Sequence, residues 1–96
     1  MLFALICTDK PNSTELRAQI RAEHLAYLNT LGEALKFAGP FLDDAGNSVG
    51  SMVVIAADSR LAAEAIAVAD PYAKSSLFSS VDIKPWRWTM KNPEAK

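Results

Sequence analysis

"ALKFAGPFLDDAGNSVGSMVVIAA", Ala34 to Ala57, decides the fold. It reads as two strands, Ala34–Leu42 and Ser51–Ala57, joined by the polar turn Asp43–Gly50. β-branched residues at the centre of the second favour an extended, pleated backbone. A hairpin in mid-chain divides the rest into two halves, with no internal repeat between them. Upstream, "LFALICT" (2–8) is a short apolar run that reads as a strand. "DKPN" breaks it. Asn12, with Glu15 three positions on, has the form of a capping box with Asn12 as N-cap. The helix that follows carries Leu16, Ile20, Leu28 and Leu31 at helical spacing, with Tyr27 filling the stripe and Gly32 near its end. Downstream, Asp58 or Ser59 caps an Ala-rich helix through Ala69, and Pro71 stops it at Asp70. "LFSSVDIKPWRW" (77–88) contains the last strand.

The order β-α-β-β-α-β is the split βαβ, ferredoxin-like pattern: an α+β fold with an antiparallel sheet in the order 4-1-3-2. The prolines agree. Pro40 lies in strand two and Pro85 in strand four, the two edge strands of that order, where a missing N–H breaks no ladder. Both faces of the central strands are apolar. Phe3, Leu5 and Cys7 alternate with Leu2, Ala4 and Ile6, and Val53 and Ile55 alternate with Met52 and Val54. Two helices on one side cover one face only, and an apolar patch of that size calls for a cover. The simplest cover is the same sheet of a second copy, which predicts a two-fold homodimer.

The 96 residues suit a single domain, residues 1–90, followed by a polar, frayed tail at 91–96. Half of the residues are hydrophobic, and the formal charge of −1 comes from scattered groups. That leaves no basic footprint for nucleic acid and no apolar run of the roughly 20 residues that cross a bilayer. The N-terminal apolar run lacks the basic flank and cleavage site of a signal peptide. Cys7 is the sole cysteine, so no internal disulfide calls for an oxidising compartment, and a cytoplasmic location is the default.

His24 is the only histidine, and it stands four residues from both Ile20 and Leu28. Its ring therefore points to the sheet or to the helix–sheet seam. Spacing alone favours a core histidine with one hydrogen bond. The sharper reading is a general acid/base. Arg21, three residues earlier, projects near the same side and is suited to an anionic ligand group. Arg17 and Glu23 read as solvent-facing. Asp70 has the form of an N-cap with Pro71 in the first helical position. It is also suited to orienting His24 and stabilising its charged form, and a rigidly held cap can do both. Cys7 reads as a small buried thiol rather than a nucleophile, and "DDAGN" as turn chemistry rather than a cation site. One histidine and one cysteine argue against zinc. Ser13 and Ser51 have no base in readable range. Tyr72, Trp86 and Trp88 are suited to walling an apolar pocket or to a dimer interface.

"RAEHLAYL" (21–28), "LKFAGP" (35–40), "GSMVVIAADS" (50–59) and "VADPYAKSSLFSSVDIKPW" (68–86) together resemble the YciI-like, YCII-related family. The resemblance covers nearly the whole chain in order. It implies a ferredoxin-like protomer in a dimeric α+β barrel and an active site centred on a histidine and an aspartate. By motif position these are His24 and Asp70, with Arg21, Gly39, Pro40, Ser51 and Tyr72 where pocket residues fall. One assigned reaction in the family is dehydrochlorination of a chlorinated hydroxyquinol. The chain departs from the family in having "KSS" after Asp-Pro-Tyr, where members often carry a glycine, so Ser75 and Ser76 reshape that wall.

These readings converge on a small dimeric enzyme with no cofactor and no metal, acting on a ring-bearing or anionic molecule. His24 would move a proton and Asp70 would fix its tautomer, a pairing suited to elimination, isomerisation or hydrolysis. The competing readings are a non-catalytic ligand-binding module on the same scaffold and an oxygen-using enzyme of the wider barrel class.

Overall fold

The computed structural model describes residues 1–95. Strand β1 (Leu2–Asp9) leads to helix α1 (Thr14–Thr30) and a single 3-10 turn at Gly32–Ala34. The hairpin β2 (Leu35–Leu42) and β3 (Ser48–Ala56) follows, then α2 (Arg60–Ala69), the short α3 (Pro71–Lys74) and β4 (Phe78–Trp86). The four strands form one antiparallel sheet in the order β2-β3-β1-β4. This is the order the sequence predicts, and Pro40 and Pro85 lie on its two edge strands.

The helical face of the sheet carries Phe3, Leu5, Cys7, Val53 and Ile55, packed with Leu28, Ala63 and Ala67. Alanines at the buried positions of α2 let it lie close to the sheet. Ser59 caps α2, its hydroxyl accepting from the Ala62 amide at 3.1 Å.

Among the described residues no helix lies on the opposite face, yet Ala4 and Val54 are buried there. Phe37, opposite Val54 on β2, meets Trp86 of β4 at 5.7 Å and Trp88 at 5.0 Å, ring to ring. These rings reach across both central strands at the level of small Ala4 and Ala56. Lys36 Nζ, 2.8 Å from Glu94 Oε2, ties the segment after β4 back to β2. Within the tail, Glu94 thus meets β2, while Lys96 lies outside the described residues. One end of the open face is covered from within the chain; at the other end Phe41 stays exposed.

Two boundaries differ from the sequence reading. Asn12 does not cap α1. The chain turns from β1 into the helix through Asn12 in the left-handed region (φ 59°), so Ser13 becomes the N-cap, with no side-chain capping bond. And β3 begins at Ser48, not Ser51, because Ser48 and Gly50 pair with Leu42 and Phe41; a ladder needs backbone partners, not apolar side chains. Gly50 is required by close approach. A Cβ there would stand 2.5 Å from the Cys7 carbonyl oxygen on the neighbouring strand. Gly50→Ala should therefore cost roughly 1–3 kcal/mol, read from the urea midpoint, as β1 and β3 are forced apart. A midpoint equal to wild type would show that the strands yield freely.

Candidate active site

α1 buries Arg17, His24 and Leu28. Seven residues are two helical turns, so Arg17 and His24 share one stripe. Leu16, Ile20, Tyr27 and Leu31 flank it, half-buried. Arg17 is therefore not solvent-facing, as periodicity alone would have it. Its Nε donates to Asp9 Oδ2 at 2.7 Å, and Nη2 donates to Asp9 Oδ1 at 2.9 Å and to Ser51 Oγ at 2.8 Å. Burial opposes the guanidinium's charge, but the hydrogen bonds and charge of Asp9 outweigh it and hold Arg17 above its ordinary pKa.

Two turns further along, His24 Nδ1 lies 2.8 Å from Asp70 Oδ1 and 2.9 Å from Oδ2, both residues buried. An ionised carboxylate only accepts, so Nδ1 carries the proton in this pair. Asp70 is also the N-cap of α3, its Oδ1 accepting from the Tyr72 amide at 2.9 Å, with Pro71 in the first helical position. The Tyr72 ring stacks on the imidazole at a centroid distance of 3.9 Å and an interplanar angle of 16°. Burial raises the Tyr72 phenol above its ordinary pKa, against the opposing charges of Arg17 and Arg21.

These side chains form one wall of a cleft of about 490 Å³ between α1 and the β2–β3 hairpin. His24, Tyr72, Arg17 and Ser51 line its floor, and exposed Arg21, Gly39 and Pro40 line its sides. All seven positions singled out from the sequence border this cleft or, in the case of Asp70, stand directly behind His24. Arg17 and Asp9 were missed. The cleft exists because the residues facing α1 are small: Ala38, Gly39, Ser48 and Ser51. Its lining holds two arginines and no carboxylate; Asp9 already pairs the charge of Arg17, so Arg21 is the cation that favours an anion there.

Cys7 lies close to this charge network but is inert. Burial first, then the Asp70 charge, pushes its thiol up to about 12, with Arg17 opposing. In the unfolded chain the thiol ionises near 9.0, so the folded state alone keeps the proton between those values. Stability is then full below about pH 9 and falls as pH rises toward 12, by up to about 1.4 kcal/mol per pH unit. Tyr27 and Tyr72, raised chiefly by burial, add in the same sense at higher pH. Urea unfolding at about pH 8 and about pH 10.5 should show the loss, and Cys7→Val should remove most of it. Equal slopes in both proteins would place the effect elsewhere. Asp43 makes a turn: Oδ1 accepts from the Ala45 and Asn47 amides, which holds the carboxyl below its ordinary pKa. Among the described residues no three His, Cys, Asp or Glu side chains converge as a metal site, and no helix is long and apolar enough to cross a membrane.

The YCII-related domain matches residues 1–87. Protein YciI of Escherichia coli O6:H1 is 36% identical over 95 residues, which span 91% of this chain and 97% of that protein. A Haemophilus influenzae protein is 33% identical over the same coverage. Among solved structures, the 5-chloro-2-hydroxyhydroquinone dehydrochlorinase of Burkholderia phenoliruptrix, in complex with 2,5-dihydroxybenzoquinone, superposes with a TM-score of 0.83. It is 31% identical, with 91% of this chain and 94% of that one covered.

Proposed function

The chain belongs to the YCII-related family, and from that premise we propose that its cleft is the active site of a small-molecule enzyme working without a cofactor. One observation carries this reading. The single histidine has its Nδ1 edge satisfied by Asp70, which leaves Nε2 for a cleft lined by two arginines and no carboxylate. His24 takes or gives the proton at Nε2, and Asp70 fixes the tautomer and stabilises the imidazolium. Arg21, exposed at the cleft side, holds an anionic oxygen. Tyr72, Gly39, Pro40 and Ser51 shape the pocket.

The substrate is a small hydroxylated ring or a comparable anion. Elimination fits best: a base takes a proton, the new π bond forms, and a halide leaves with its bonding pair. The dehydrochlorinase that shares this fold at 31% identity supports that choice. Isomerisation or hydrolysis would use the same acid/base pair.

The test is chloride release from 5-chloro-2-hydroxyhydroquinone and related halogenated phenols. Turnover should fall by about 10²–10⁴-fold in His24→Gln, with the circular dichroism unchanged. Stabilisation by these ligands without chloride release, and equal in His24→Gln, would make the protein a binding module instead.

We also propose that the protein acts as a homodimer in the cytoplasm. Both faces of its central strands are apolar, and its one cysteine leaves no internal disulfide to oxidise. Light scattering at micromolar concentration should give twice the 10.4 kDa of one chain. A single-chain mass would exclude the dimer.

A further inference from the structure

Arg17 and Asp9 are ionisable groups that the proposed chemistry does not use; Arg17 is buried in the wall of the cleft, with the buried Asp9 carboxylate paired to it. As packing they are a poor choice, because two charges must leave water and an apolar pair of similar volume would fill the space at least as well. Their surroundings give them a use. The Arg17 guanidinium carbon lies 4.6 Å from the centroid of the Tyr72 ring. That ring lies against the imidazole of His24. Tyr72 is thus held twice: at its amide by the Asp70 carboxylate, which also binds His24 Nδ1, and at its ring by Arg17. Arg17 itself cannot slide, because Asp9 and Ser51 take its Nε and Nη2.

We infer that Arg17 is a positioning residue for His24, acting through the Tyr72 ring. Asp9 and Ser51 fix the guanidinium, the guanidinium fixes the tyrosine ring, and the ring fixes the plane in which His24 presents Nε2 to the cleft. An arginine suits the task because its planar fork engages a carboxylate edge-on while its face rests on an aromatic ring. The inference builds on His24 as the proton carrier, but its geometric core can be tested without turnover.

The experiment reads the carbon-bound ring protons of the only histidine by NMR, at both ends of its pH titration so that protonation does not enter. In the wild type, stacking on Tyr72 moves them upfield, and Tyr72→Leu gives the value with that effect gone. The double variant Asp9→Leu/Arg17→Met removes both charges and keeps the volume. Its ring protons should move most of the way to the Tyr72→Leu value. With a turned-over substrate, kcat should drop by roughly 10- to 100-fold at little-changed KM, as for a reacting group misplaced by about 1 Å. Ring-proton shifts equal to wild type would overturn the inference. If the double variant does not fold, Arg17→Lys is read in the same way: a partial move supports the inference, and no move overturns it. A moved shift with no turnover in any protein would sink the enzymatic reading while leaving the positioning intact.

Discussion

Asp70→Asn is expected to move the proton of the neutral His24 ring from Nδ1 to Nε2 and to lower turnover by about 10³–10⁴-fold. The reason lies in the two demands on one carboxylate. Oδ1 accepts from the Tyr72 amide at 2.9 Å, while the carboxylate as a whole faces His24 Nδ1 at 2.8 and 2.9 Å. In the variant, the side-chain oxygen stays with the Tyr72 amide, because a backbone N–H can only donate. The new NH₂ group then faces Nδ1 and can only donate to it, so Nδ1 must be the bare nitrogen. The imidazole then presents an N–H to the cleft in place of a lone pair, and a general base is lost. Asparagine is as good an N-cap as aspartate, so α3 should start where it does now. The ¹⁵N shifts of the two ring nitrogens report the tautomer, with Nδ1 and Nε2 told apart by their couplings to the ring protons, and a single histidine needs no residue assignment. A ring that keeps its proton on Nδ1, in a variant with full turnover, would remove Asp70 from the proposed chemistry.

Arg17→Ala should be the most damaging single change to the fold, with a loss of about 3–5 kcal/mol. The Asp9 side chain is only 4% exposed, and Arg17 is its hydrogen-bond partner among the described residues. Truncation leaves a carboxylate in the interior with neither water nor a cation, and leaves Ser51 Oγ without its donor. A domain of this size has a total stability of about 5–15 kcal/mol, so the variant should be close to unfolding at room temperature. Taking away the second charge as well should restore much of the loss: the Asp9→Leu/Arg17→Met pair is expected well above the single variant in urea midpoint. A single variant within about 1 kcal/mol of wild type would mean that water reaches Asp9 freely.

The element order was legible because each element carries its own signal: short apolar runs for the central strands, a helical stripe, Pro40 and Pro85 where only edge strands accept them. Asp70 was readable as a cap, and its reach to His24 follows from both helices lying on one side of the sheet. Arg17 was not legible. Periodicity sorts residues by polarity, and an arginine in a helix sorts to the solvent side. What buries it is Asp9, at the end of β1, which in sequence looks like the first residue of a breaker. The signal was nonetheless present in the spacing. Arg17 is two turns from His24, and a charged residue on the same stripe as a candidate site residue is better placed inside than out. The early start of β3 and the left-handed Asn12 were hidden for another reason. The start of β3 depends on backbone partners and the turn at Asn12 on a backbone angle, and side-chain patterning records neither.

The chain has two tryptophans, and both belong to the aromatic group that Phe37 completes on the face of the sheet away from the cleft. Intrinsic fluorescence excited at the indole band is therefore a report from the wrong side for ligand work. It should respond to trimming of the C-terminal segment that Glu94 anchors, and to association across that face. A small molecule entering beside His24 and Tyr72 should leave it unchanged. Emission and the histidine ring signals thus make two separate optical and magnetic channels, one for assembly and one for chemistry, with no label added to the chain.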